Sequence, residues 1–214
     1  MKKIFIESLN QVVCFDSTIK SLKFKSKSNY RQISFNLFNE LIYSENDVIL
    51  DLNKCSLIIY NPFQISLNEK KLITGMYKEL EKNIKDDEKK IIQKIEEYSF
   101  NLFDDLSLNV DYQFEYNEEI DVGKLFQTFN IRFPEIDYSN YLELLTNYMK
   151  LNSIFNKSKV IISFGLISLL NDEEALLLEK ELAYNDLILL DIFYIDDNVN
   201  ENKDLFIDDD WCII

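Results

Sequence analysis

Two stretches of the chain, Val160–Phe164 (VIISF) and Leu187–Phe193 (LILLDIF), are apolar and β-branched with almost no polar alternation, the pattern of strands covered on both faces. Between them Asn171 stands three residues before Glu174. That spacing forms a capping box, in which each side chain takes a backbone N–H of the other residue, and it predicts a helix start. Asp172, Glu173 and Glu174 put negative charge at the positive end of the helix dipole, and Asn185 and Asp186 supply turn chemistry where the helix stops. Strand, capped helix and strand within about 35 residues make a βαβ unit, whose parallel strands need a right-handed crossover. The unit predicts an α/β fold with helices packed on a sheet.

Shorter alternating runs predict more sheet near the start. KKIFIES and QVVCF read as a hairpin, and Gln32–Phe38 (QISFNLF), Asp47–Leu52 (DVILDL) and Ser56–Tyr60 (SLIIY) read as three further strands, the last ended by Pro62. Asp16–Ser28 sets Ile19, Leu22 and Phe24 among lysines and reads as either a short basic helix or an extended arm. From Leu67 to about Leu106 the period becomes helical, predicting a long helix with a break near Lys85–Glu88. Leu80, Ile84, Ile91, Ile95 and Tyr98 share one broad face of it. Opposite lie Lys71, Lys78, Lys82, Lys85 and Lys89, within about 60° of arc and along roughly 27 Å.

An acidic, aromatic stretch (Leu108–Asp121), a short helix (Val122–Phe129), a strand-like FNIRF and a helix over Ser139–Phe155 follow. Leu142, Leu145, Met149 and Leu151 give that last helix a packing face, expected to lie antiparallel to the long helix. Sheet segments at both ends with helices between predict two parts. One is an α/β head from residues 1–66 and 157–214; the other is a mainly helical leg subdomain from 67–156.

Composition narrows the chemistry. The 47% hydrophobic and 14% aromatic content is too rich for disorder. The longest uncharged runs, Cys55–Asn68 and Val160–Asn171, are too short to span a bilayer, and Glu7, Asn10 and Gln11 interrupt any signal-like apolar region. A soluble, cytoplasmic protein is expected. Cys14, Cys55 and Cys212 are widely spaced in strand-like contexts and read as buried thiols. The absence of histidine removes Ser-His-Asp and Cys-His catalysis, and with Gly75, Gly123 and Gly165 as the only glycines there is no phosphate loop of Walker spacing.

The net charge of −15 opposes a nucleic-acid partner at first sight. Its distribution is uneven, because residues 1–31 hold Lys2, Lys3, Lys20, Lys23, Lys25, Lys27 and Arg31 against only Glu7 and Asp16. From Asn171 onward Lys180 and Lys203 stand against fourteen carboxylates. The lysine face of the long helix reads as either a DNA contact or the solvated side of an amphipathic helix. Asp111, Glu115, Glu118, Glu119 and Asp121 could bind a hard cation, or form an exposed acidic turn leading into a helix. Two other readings remain open. One is a metal-dependent nuclease or nucleotidase using Asp51 or Asp196 and Asp197; the other is an acidic protein-binding scaffold.

Four segments resemble one family in order and spacing. They are KVIISFGLISLLNDEEALLLEKELAYNDLILLDIF, the ending DLFIDDDWCII, SLIIYNPFQISLNEKKLITGMYKEL and the opening IFIESLNQVVCF. Together they cover about two fifths of the chain and are similar to the ring-forming accessory adaptation proteins of type II-A CRISPR systems. The resemblance implies a non-catalytic homotetrameric ring with P-loop-like α/β heads that lack the nucleotide-binding loop, and helical legs. It implies a positive channel enclosing double-stranded DNA, bound at ends without sequence preference, and a supporting role for calcium. It also implies action with the CRISPR integrase complex and effector nuclease in spacer acquisition. By position, Lys20, Lys23, Lys25, Lys27 and Arg31 with the stripe from Lys71 to Lys89 become the DNA-contact candidates, and Glu115, Glu118, Glu119 and Asp121 the calcium candidates. With Arg31 and Arg132 the only arginines, such contacts would be mostly lysine point charges.

Overall fold

A computed structural model of the chain describes residues 1–117, 119–195 and 204–213. Strands β1 (Lys2–Ile6), β2 (Gln11–Cys14) and β3 (Ile19–Phe24) come first, then α1 (Lys27–Phe35) and the single-turn α2 (Leu37–Glu40). β4 (Leu41–Glu45), β5 (Val48–Leu50), α3 (Leu52–Cys55) and β6 (Ser56–Ile59) follow, and then helices α4 (Lys70–Lys82), α5 (Asp86–Ser107), α6 (Val122–Thr128) and α7 (Tyr141–Asn156). β7 (Val160–Phe164), α8 (Asp172–Tyr184), β8 (Ile188–Tyr194) and β9 (Asp204–Ile207) complete the order. The chain forms two compact units, Met1–Leu67 with Glu135–Ile214, and Asn68–Pro134.

The first unit is α/β. Its five-stranded sheet has the order β6-β7-β8-β3-β9, and every pairing in it is parallel. The βαβ unit is its centre: β7 and β8 pair from Val160↔Ile188 to Phe164↔Ile192, and α8 opens on the Asn171–Glu174 capping box. β3, the first of these strands in the chain, lies between β8 and β9. A four-stranded antiparallel sheet, β2-β1-β4-β5, carries Ile4, Ile6, Val13, Leu41 and Tyr43 into a core shared with Leu22, Phe24, Ile162 and Leu190 of the parallel sheet. Two ion pairs join the segments leading into the two sheets, Lys2 to Asp186 at 2.7 Å and Lys159 to Glu45.

Several local expectations change. Gln32–Phe38 is helical rather than extended: Ser26 caps α1 by accepting from the Asn29 amide, and Ile33 and Leu37 are buried one turn apart. The apparent alternation came from Phe35, which is 85% exposed. Asp16–Ser28 resolves into strand β3 and the start of α1. Phe129–Phe133 makes no strand; Asn68 satisfies its backbone instead, accepting from the Phe133 amide at 2.9 Å and donating to the Phe133 carbonyl at 3.1 Å. α7 belongs to the first unit rather than to a leg subdomain, because Leu144, Leu145 and Met149 are buried there and the helix packs against α8. Cys14 and Cys212 are exposed rather than buried; for Cys14 the reason is that Val13 and not its neighbour takes the inward side of β2. Cys55 is half-buried, and burial pushes its thiol up.

In the second unit α4 buries Leu72 and Tyr77, and Tyr77 donates its hydroxyl hydrogen to the Ile131 carbonyl at 2.9 Å. α5 is 22 residues long and has no buried residue. No described helix is long and apolar enough to cross a membrane.

Candidate nucleic-acid interface

β3 and α1 hold the first set of candidate cations. Lys20 is paired with Asp16 at 2.5 Å, and the contact holds the Asp16 carboxyl below the usual carboxylate range. Lys23 is 7% exposed. Its register partners are Phe193 on β8 and Phe206 on β9, and its ammonium lies 5.3 Å and 5.2 Å from those two ring centroids. Ser21, Leu22, Lys23 and Phe24 are all buried, so both faces of β3 are covered there and Lys23 is a sheet residue and not a surface contact; its place among the DNA candidates is corrected.

The remaining cations of this set reach the surface at the sheet's carboxyl edge. Lys25 is half-buried where β3 ends, with its amide on the Ile207 carbonyl at 3.0 Å. Lys27 opens α1 with its ammonium 5.1 Å from the Tyr194 ring centroid. Arg31, one turn later, is exposed and donates Nε–H to the Lys27 carbonyl at 3.2 Å.

The long-helix stripe is divided. Asn83 ends α4 by donating its side-chain N–H to the Glu79 carbonyl at 2.8 Å, and α5 starts when Glu88 accepts from the Lys85 amide at 3.0 Å. Lys71, Lys78 and Lys82 therefore lie on α4, Lys85 at the junction and Lys89 on α5, all of them exposed. Lys82 pairs with Glu79 at 3.8 Å and Lys89 with Asp86 at 3.3 Å. These are exposed i,i+3 pairs, weak enough for a phosphate to replace the carboxylate.

The acidic stretch ends in a helix cap. Asp121 Oδ1 accepts from the Lys124 amide at 3.0 Å, and its other oxygen lies 3.6 Å from the Lys124 ammonium. Glu115 and Glu119 are exposed, and Glu118 lies outside the described residues. Among the described residues no three carboxylates or thiols converge as metal ligands, so these do not by themselves make a calcium cage. Sequence reasoning missed the carboxylates that approach this stretch from the helices. Glu96 accepts from the Ile120 amide at 2.9 Å, and the Glu81 carboxylate comes so close to Gly123 that a Cβ there would lie 2.9 Å from its Oε1. A cleft of about 550 Å³ opens beside Glu81, Lys89, Glu96 and Glu119.

Of the carboxylates considered for metal-dependent catalysis, Asp51 caps α3 by accepting from the Asn53 amide at 3.1 Å and pairs with Lys54 at 3.3 Å. Asp196 and Asp197 lie outside the described residues. Among the described residues the buried carboxylate is Asp191, which the sequence marks as the lone charge inside LILLDIF. It accepts from Ser163 Oγ at 2.7 Å, the Leu166 amide at 3.0 Å and the Ile167 amide at 2.9 Å. The backbone amides that follow β7, where an anion could be cradled in such folds, are therefore occupied by the protein's own carboxylate.

A model of the CRISPR-associated protein family (Cas_Csn2) matches residues 34–211. A search of curated proteins gave no match.

Proposed function

The chain belongs to the Cas_Csn2 family of CRISPR-associated proteins, and we propose that it binds double-stranded DNA without sequence preference, as a non-catalytic homotetrameric ring acting in spacer acquisition. The observation that carries this reading is the exposure of Lys71, Lys78, Lys82, Lys85 and Lys89 on α4 and α5, with Lys27 and Arg31 on α1, in a protein whose net charge is −15. Exposed lysines on an acidic molecule attract phosphate locally, while the acidic remainder repels it elsewhere. Contacts to phosphate release counterions and carry no base information, so binding should fall steeply with salt and ignore sequence.

Assembly has separate support. α5 exposes Ile91, Ile95, Tyr98, Leu102 and Leu106, a stripe that the described residues of the single chain cover only in part. The proposal places the protein in the cytoplasm with the integrase complex and the effector nuclease as partners. Calcium enters as a dependence to measure and not as a step, since the described carboxylates do not form a cage.

Binding of linear and covalently closed circular duplex DNA, with calcium or chelator, alongside solution molar mass, tests the reading. A tetramer that holds linear DNA far better than circles supports threading. A monomer with no affinity for DNA in either condition overturns it.

A further inference from the structure

The parallel sheet ends in a row of rings. Tyr60 follows β6 and Phe164 ends β7, and because Ile59 is paired with Ser163 the next residues meet side by side. Their rings are stacked, 5.3 Å apart at an interplanar angle of 7°. Tyr30 of α1 meets Phe164 edge-on at 6.3 Å and Phe24 at 6.4 Å. Tyr60 is 62% exposed although one face rests on Phe164, so its other face is presented to solvent. Phe63, 65% exposed, lies in the adjoining turn, held there by Asn61 Oδ1 accepting its amide at 3.0 Å.

Cations stand beside this row. Lys27 and Arg31 flank Tyr30 on α1, and Phe35, one turn beyond Arg31, is also exposed. On the far side the turn after β9 closes the patch. Asn29 donates to the Asp208 and Asp209 carbonyls at 3.1 Å each, and Trp211 packs edge-on to Phe24 at 6.1 Å. Asp208, Asp209 and Asp210 therefore bar phosphates from that end and leave the direction from Arg31 toward Tyr60. Asp191 beneath the row has its charge committed to Ser163 and two amides.

We propose that this carboxyl edge is a stacking site for unpaired bases of a single-stranded DNA overhang, with Tyr60 as the platform and Lys27 and Arg31 as phosphate contacts. Exposed aromatic faces beside cations suit single strands because every base has a π-face, while paired bases inside a duplex offer none. The carboxyl ends of parallel strands are also where open α/β sheets place ligands. β6 and β3 are three strand spacings apart, roughly 14 Å, room for two or three nucleotides. The proposal rests on the DNA-binding reading above and adds a preference for one form of DNA end.

The test compares a blunt duplex with the same duplex carrying a six-thymidine overhang, in the full-length protein and in Tyr60→Ala, Tyr60→Trp and the pair Lys27→Ala/Arg31→Ala. Binding of thymidine monophosphate is measured in parallel. Each stacked base contributes roughly five-fold to a hundred-fold in affinity. The overhang should therefore bind at least about five-fold tighter than the blunt duplex, and Tyr60→Ala should abolish that ratio while leaving blunt-duplex affinity unchanged. Tyr60→Trp should preserve the ratio, and the cation pair should reduce it. Equal binding of blunt and overhang duplex by the native protein overturns the proposal and leaves duplex binding intact. Saturation by thymidine monophosphate at the overhang's concentration overturns it in favour of a free-nucleotide site. No binding to any DNA overturns this proposal together with the function it rests on.

Discussion

Ser163 on β7 donates its hydroxyl hydrogen to Asp191 Oδ1 on β8 at 2.7 Å, both residues being fully buried and in register in neighbouring parallel strands. The same carboxylate takes the Leu166 and Ile167 amides. Gly165 makes this possible with φ +75, a conformation that a residue with a side chain adopts only with strain, and it turns the next two N–H groups inward.

Asp191→Ala should be severely destabilising because it strands two buried donors and one half-buried donor at once. Each such group costs about 1–3 kcal/mol, so a loss of at least about 3 kcal/mol is expected, against about 1 kcal/mol for Ser163→Ala, which keeps both amides satisfied. Burial raises the Asp191 carboxyl above the ordinary range, and this outweighs the hydrogen bonds that lower it. A group that binds its proton more tightly when folded contributes stability that is full below the unfolded value. That contribution is lost as pH rises through the folded one. Urea denaturation of the native protein should therefore show a component of stability that declines from about pH 4 upward and is missing in Asp191→Ala. An identical pH profile in the variant would remove Asp191 from the account.

Lys23 gives a second prediction, because its ammonium lies between two aromatic faces inside a sheet. Lys23→Met keeps an unbranched side chain one atom shorter and loses a cation–π contribution of about 0.5–2 kcal/mol. Lys23→Glu puts the wrong charge against the negative faces of both rings, and thermal melting should show a loss larger by several kcal/mol. Lys23→Met should bind DNA as the native protein does. Reduced affinity in a variant of unchanged melting temperature would mean that Lys23 reaches the DNA after all.

What the sequence conveyed and what it concealed separate along physical lines. The β7-α8-β8 unit was legible because burial on both faces, a capping box and turn residues all pointed to one answer. The break expected near Lys85–Glu88 lies within a few residues of the one between Lys82 and Asp86. β4 was missed although Asn46 and Asp47, both at positive φ, form the two-residue turn that joins it to β5; only half of that hairpin shows an apolar run. Gln32–Phe38 was misread because Ile33, Phe35 and Leu37 fit period 2 as well as they fit a helix, and the Ser26 cap that decides between them lies outside the run. Among the candidate cations, composition could not separate Lys23 from Lys25 or Lys27, because their exposure depends on β9, a strand about 180 residues away, pairing with β3. The row from Tyr60 to Tyr30 was invisible for the same reason: its members come from three separate segments joined only by strand order.

The cations that remain exposed should differ from those that do not in the salt dependence of DNA binding. Each lysine or arginine that neutralises a phosphate adds about 0.9 to the slope of log affinity against log salt. Replacing Lys71, Lys78 and Lys82 together by alanine should lower the slope by about 1 for every phosphate left without its lysine, and the melting temperature should not change. Lys20→Ala is the internal control. Its ammonium is held by Asp16 at 2.5 Å and its side chain is 16% exposed, so its removal should leave the slope unchanged. A slope that fell equally for Lys20→Ala and for the exposed set would show that total charge, and not position, governs binding.

The apolar stripe of α5 carries the last prediction. Ile91, Ile95, Tyr98, Leu102 and Leu106 recur at spacings of four, three, four and four, the period of one helix face, yet they are 58%, 37%, 74%, 55% and 45% exposed. A 22-residue helix with no fully buried residue against the described part of its own chain gains much of its packing from elsewhere or remains marginal. If copies of the chain cover the stripe, each isoleucine or leucine buried there contributes about 1.5–3 kcal/mol to assembly and almost nothing to the fold of one chain. Ile95→Glu with Leu102→Glu should then lower the solution molar mass and abolish the concentration dependence of the melting temperature, while far-ultraviolet circular dichroism stays close to native. Because a ring that encloses DNA requires assembly, the same variant should lose any preference for linear over circular duplex. A variant of native molar mass would show that another surface holds the copies together and that the stripe is covered by something else or by nothing.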